Sequence, residues 1–64
     1  MEVGIVARKG SERAVAVADE LRDAVVGAGA TVWLDAETAD ALGEPEAGRA
    51  VDALDACDLA VAVG

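Results

Sequence analysis

Arg8 and Lys9 are neighbours, and Gly10 and Ser11 follow them. The chain has 64 residues and only five bases against thirteen acids, so a basic pair stands out. A short basic loop ahead of a helix can seat an anion. The first N–H groups of the helix are free there, and its dipole favours negative charge. The run Gly4-Ile5-Val6-Ala7-Arg8-Lys9-Gly10-Ser11 is not a P-loop, which needs G-x-x-x-x-G-K-[ST]. Here the glycines are one residue too far apart and Lys9 precedes Gly10. G-x-G-x-x-G is absent too, so the dinucleotide fingerprint fails. Two readings remain for Arg8, Lys9, Gly10 and Ser11: a phosphate seat, or a solvated turn with a helix cap.

Other reactive residues have plainer accounts. Asp35 stands where a Rossmann acid would hold a ribose, but without the glycine fingerprint it reads better as a helix cap. Asp52, Asp55 and Asp58 recur every third residue, lack the calcium-loop pattern and read as a solvated helix face. Cys57 is a lone thiol without a base to activate it, which suits a small core residue. Trp33 reads as a core or edge anchor rather than a ligand platform. With no His and one Cys, a classical zinc site lacks ligands, and Ser-His-Asp and Cys-His catalysis are impossible within the chain. No catalytic residue and no metal ligand is assigned.

The net charge is −8. That argues against nucleic acid, whose phosphates need a Lys/Arg footprint. At 55% hydrophobic the chain is too apolar to be held open by charge, and its apolar stock is mostly Ala and Val. An acidic surface, a single lysine and small apolar residues fit either an ordinary acidic domain or adaptation to high salt. The co-occurrence favours salt, where repulsion between carboxylates is screened. No basic n-region opens the chain. The longest uncharged stretch, Ala24 to Leu34, falls short of the ~20 residues of a membrane span. The expectation is a cytoplasmic protein without a membrane partner.

The elements that must position the loop follow from pattern. Val3-Gly4-Ile5-Val6-Ala7 is a short apolar run, read as a strand buried on both faces. Ser11 caps a helix in which Ala14, Val17, Ala18, Leu21, Ala24 and Val25 recur at helical spacing, and Gly27 or Gly29 ends it. Ala30 to Leu34 is a β-branched second strand. Asp35 opens a short helix over Ala36 to Leu42, which Gly43 closes. Glu44 to Gly48 is a loop, and Arg49 to Ala56, with Val51 and Leu54, is a last short helix. Leu59 to Val63 is a third buried strand. Strands alternating with helices imply an α/β fold, a Rossmann-like parallel sheet of three strands with covering helices. A strand order of 2-1-3 places a topological switch point between strands one and three, beside Arg8-Lys9-Gly10-Ser11 and Gly64.

Cys57-Asp58-Leu59-Ala60-Val61-Ala62-Val63-Gly64 resembles the NAD kinase family. There a Val-rich strand opening on Asp-Leu runs into a Gly-Gly-Asp-Gly loop, of which Gly64 would be the first glycine. Met1 to Ala7 resembles the family's first strand. Trp33-Leu34-Asp35 through Ala39-Asp40-Ala41-Leu42-Gly43 resembles the segment after strand two in its archaeal, salt-adapted members. The resemblance implies that residues 1–64 are the N-terminal portion of an α/β nucleotide-binding domain, truncated before that loop. The family's catalytic Asp and second, mostly β domain would lie outside it. It further implies ATP and NAD as small-molecule partners, a divalent cation (Mg) on the phosphates, and a homo-oligomer. In such enzymes the 2′-hydroxyl of the NAD adenosine ribose attacks the γ-phosphoryl of ATP, and the fragment alone would be inactive. Gly64 is carried over as a motif position. Arg8, Lys9 and Gly10 join it as cofactor-binding residues by their place at the switch point.

A non-enzymatic reading also fits: a small acidic α/β module that binds a nucleotide or a protein. On the salt reading, the unfolding midpoint followed by circular dichroism rises from dilute buffer to molar KCl. An unchanged midpoint would leave only the ordinary acidic domain.

Overall fold

A computed structural model describes the backbone of residues 1–64 and every side chain but that of Val51. The elements are β1 (Glu2–Ala7), α1 (Glu12–Gly27), β2 (Thr31–Asp35), α2 (Ala36–Ala41), β3 (Gly48–Arg49) and β4 (Leu59–Val63). Two 3-10 turns, Pro45–Ala47 and Val51–Ala56, flank β3. The sheet is parallel throughout, in the order β3-β2-β1-β4. The fold is α/β and Rossmann-like, and its three main strands take the expected 2-1-3 arrangement.

The helix boundaries follow from capping chemistry. Ser11 Oγ accepts the Ala14 N–H at 3.1 Å and starts α1. Of the two glycines that could end it, Gly29 does so. It has φ +88, its N–H donates to the Val26 carbonyl, and the Ala30 N–H donates to that of Val25. This pair of bonds is a Schellman motif, which satisfies carbonyls that the helix leaves open. Gly43, at φ +79, closes α2 in the same way, with bonds to Asp40 and from Glu44 to Ala39.

Four expectations need correction. The sheet has a fourth strand: Gly48–Arg49 pairs with Leu34 and Asp35 where a loop was expected. The segment expected as a helix from Arg49 is a 3-10 turn over Val51–Ala56; of the two residues expected to anchor it, Leu54 is buried and the side chain of Val51 lies outside the described residues. A 3-10 turn rises about 2.0 Å per residue against about 1.5 Å for an α-helix, so six residues reach further across the sheet. Within α1 the buried stripe is Ala14 and Ala18, with Val15, Leu21 and Val25 packed beside it, while Val17 is 44% exposed. The helix is turned so that Val17 faces the β4 side rather than the core. Finally, β4 is not buried. It pairs only with β1 and forms the edge of the sheet, leaving Leu59, Ala60 and Ala62 exposed.

The core lies between α1, α2 and one face of the sheet, around Val3, Ile5, Ala7, Ala14, Ala18, Leu34 and Ala39. Alanines let the helices approach the sheet closely, so the core is thin. The other face carries Gly4, paired with Trp33, and is covered by Leu54 and Cys57. Asp58 anchors the start of β4. Its carboxylate accepts the Glu2 N–H at 2.7 Å, and its own N–H donates to the Glu2 carbonyl at 2.9 Å. Arg22 pairs within α1 with Asp19 at 2.6 Å and ties the helix to Glu44, just past α2, at 2.8 Å.

Gly48 is where β3 meets α2. A Cβ there would stand 2.8 Å from Ala36 Cα and 3.2 Å from Ala39 Cβ, and the first of these is backbone that cannot yield. Gly48→Ala is expected to lower stability by about 1–3 kcal/mol through overpacking. Chemical denaturation measures it, and an unchanged midpoint would contradict the close approach.

Candidate functional site

The loop after β1 is a four-residue turn. The Ser11 N–H donates to the Arg8 carbonyl at 3.3 Å. Gly10, its third residue, has φ +78, which a type II turn requires and glycine supplies without strain. On one side the Arg8 N–H donates to the Val63 carbonyl at 2.7 Å and carries the β1–β4 pairing one residue further. On the other side β2 has already ended its pairing with β1 at Leu34. There the Ala7 N–H donates to Thr38 Oγ1 at 2.9 Å.

Two of the clefts that Arg8 lines bear on the turn. One, of about 360 Å³, opens between β4 and the start of α1 and is lined by Arg8, Ser11, Arg13, Val17, Val63 and Gly64 among others. This is the switch point, the place where open α/β sheets bind ligands. Its only charged lining groups are the two arginines. Among the described residues neither forms an ion pair. With the N-terminal end of α1 alongside, this cleft suits an anion. Gly64 lines it with φ +147, and any Cβ there would overlap Arg8 Cβ. The other cleft, of about 260 Å³, lies between the loop and α2. It carries Lys9 and Gly10, with Glu37 and Asp40 opposite.

The four predicted site residues are therefore divided. Arg8 and Gly64 come together in the switch-point cleft. Lys9 does not join them: its ammonium sits 3.4 Å from Glu37 on the α2 side, in an exposed pair of little energetic weight. Gly10 shapes the turn and lines the α2 cleft. Arg13 belongs with Arg8, and sequence reasoning missed it. The available signal was its place at the second position of the capped helix, within reach of whatever the helix end faces.

Asp35 is not a side-chain cap. It occupies the N-cap position of α2 but makes no bond to a helix N–H. Its carboxylate is buried and accepts from the Thr38 hydroxyl instead. Asp52, Asp55 and Asp58 are exposed. Among the described residues no three acidic, His or Cys side chains converge as a metal ion would require. Desolvation first, then the Glu2 and Asp58 carboxylates, push the Cys57 thiol above its ordinary range, with Arg49 opposing. That disfavours the thiolate a nucleophile needs. Trp33 is half-buried beneath Arg49, whose guanidinium carbon lies 4.5 Å from the ring centroid. No helix among the described residues is long and apolar enough to cross a membrane.

An open parallel sheet with a basic cleft at its switch point defines a Rossmann-like α/β unit shaped for an anionic ligand. Comparison with known proteins is more specific. The chain is 89% identical over 64 residues to the NAD kinase of Halorubrum lacusprofundi. It is 46% identical over 65 residues to that of Halobacterium salinarum, and 39% over 71 to that of Haloarcula marismortui. Each match takes in the whole chain, and the chain spans about a quarter of the length of these curated relatives (23%, 23% and 25%). The resemblance to the NAD kinase family is thereby borne out: the chain corresponds to the N-terminal quarter of such proteins from halophilic archaea. No family model matches the chain, and no solved structure matches it significantly.

Proposed function

We propose that this chain is the N-terminal portion of the nucleotide-binding domain of an NAD kinase. The complete protein transfers the γ-phosphoryl of ATP to the 2′-hydroxyl of the adenosine ribose of NAD. The observation that carries this reading is the match of the whole chain to NAD kinases, at 89% identity for the Halorubrum lacusprofundi protein. In the reaction the ribose oxygen bonds to the γ-phosphorus, the bond from that phosphorus to the β–γ bridging oxygen breaks, and ADP leaves. The hydroxyl proton goes to a carboxylate supplied outside this chain, in the Gly-Gly-Asp-Gly loop that the resemblance places after Val63. Phosphoryl transfer depends mainly on positioning and charge stabilisation. The part this chain plays is positioning: Arg8 and Arg13 face nucleotide phosphates across the switch-point cleft, and Gly64 lets backbone approach them. A divalent cation would travel on the ATP phosphates. The protein works in the cytoplasm at high salt, where an acidic surface remains hydrated and its repulsion is screened.

The test is NADP formation from ATP and NAD. The longer protein that carries this chain is expected to form NADP, and residues 1–64 alone are expected to form none. A gene that continues past codon 64 without Gly-Asp-Gly, or turnover by the 64-residue chain, would overturn the reading. Within the longer protein, Arg8→Ala and Arg13→Ala are each expected to raise the nucleotide KM about tenfold, as loss of a charge-assisted hydrogen bond would. Lys9→Ala is expected to change it less than about twofold, because its ammonium lies in the other cleft. Equal effects at Arg8 and Lys9 would contradict the division of the loop between two clefts.

A further inference from the structure

The last amide of β1 is held by a buried polar relay that the proposed chemistry does not use. Asp35 is 5% exposed and Thr38 2%. The Thr38 hydroxyl donates to Asp35 Oδ1 and accepts the Ala7 N–H. A hydroxyl has one proton to give and lone pairs to receive. Asp35 takes the proton, so a lone pair is left turned toward Ala7. The hydroxyl thus stands where a β2 carbonyl would stand had β2 continued. The next amide, that of Arg8, is held by Val63. Residues 7 and 8 are pinned from both sides, immediately before the turn that carries Arg8 into the switch-point cleft.

Asp35 lines none of the clefts that Arg8 lines. Thr38 reaches the α2 cleft only, beside Ala7, Arg8, Lys9 and Gly10. Neither side chain can touch a ligand in the switch-point cleft, so any influence there passes through the backbone of Ala7 and Arg8.

We propose that Asp35 and Thr38 are positioning residues for the Arg8–Ser11 turn, fixing the angle at which Arg8 enters the phosphate cleft. For the identity of the ligand this rests on the NAD kinase reading. The brace itself does not. It acts on nucleotide binding and leaves the transfer step alone, because the reacting atoms lie beyond it. It also acts by hydrogen bonding rather than by charge, since what Thr38 needs from Asp35 is an acceptor.

The test uses the longer protein. Thr38→Val keeps the side-chain shape and removes the hydroxyl. It is expected to speed hydrogen exchange at Ala7 and Arg8 about tenfold, while Ile5 exchange stays unchanged. It is also expected to raise the nucleotide KM about tenfold with kcat within about twofold. Thr38→Ser restores both, and Asp35→Asn, which retains an acceptor, stays close to wild type in both. The proposal fails if Thr38→Val leaves exchange at Ala7 unmoved, or if Thr38→Ser is as impaired as Thr38→Val. If Thr38→Val does not fold, Asp35→Ala, which removes the acceptor, carries the test, with faster exchange at Ala7 expected and unchanged exchange overturning the proposal. In Asp35→Asn, a KM raised about tenfold with unmoved Ala7 exchange would assign Asp35 a direct charge role and overturn the proposal. If the wild-type protein forms no NADP, the functional reading fails, and the exchange measurements still decide the brace.

Discussion

Backbone amides that leave a sheet must still find acceptors, because an orphaned buried N–H costs as much as a lost hydrogen bond. At the carboxyl end of β1 this requirement shapes the site. β4 reaches far enough to serve Arg8, and β2 does not reach far enough to serve Ala7. α2 follows β2 without a connecting residue and brings Thr38 to the gap. That seating of α2 is itself close, with Ala39 fully buried and Gly48 passing its backbone without room for a side chain. Small residues in α2, a glycine in β3 and one hydroxyl are thus parts of a single arrangement that decides where the basic turn begins.

Much of this was legible from the sequence. Alternating apolar runs gave the parallel sheet, and the caps at Ser11 and Gly43 marked helix boundaries, with Gly27 or Gly29 left open for the end of α1, because both signals are local. The switch point followed from strand order alone, and with it the meeting of Arg8 and Gly64. What could not be read depends on spatial register. A two-residue strand such as Gly48–Arg49 has no periodicity to detect. The 3-10 turn before β4 is set by the width it must cross. Lys9 and Arg8 adjoin in sequence, yet only Arg8 also lines the switch-point cleft, while the Lys9 ammonium turns to Glu37 on the α2 side. Arg13 joined Arg8 only once helix α1 was seated on the sheet. Asp35 had two sensible sequence readings, and the structure supplies a third through a partner three residues away.

The relation to the haloarchaeal NAD kinases gives these details a setting. A chain that matches about a quarter of each relative need not contain a complete site. It holds one wall of a cleft, two arginines and a strand end, and no cluster of three acidic, His or Cys side chains among the described residues. On the proposed reading, a missing catalytic pair therefore weighs little against an enzyme.

The exposed outer edge of β4 has a colloidal consequence. Unpaired apolar strand edges invite addition of another strand, and proteins guard them with charge, bulges or cover. Leu59 to Val63 carries no charge within itself, so among the described residues this edge relies on the net −8 of the chain as a whole. Long-range repulsion of that kind vanishes in molar salt, where the Debye length is about 3 Å. The conditions that relieve an acidic surface therefore disarm the protection of this edge. At molar salt, charge alone leaves this edge of the described residues open to a further strand.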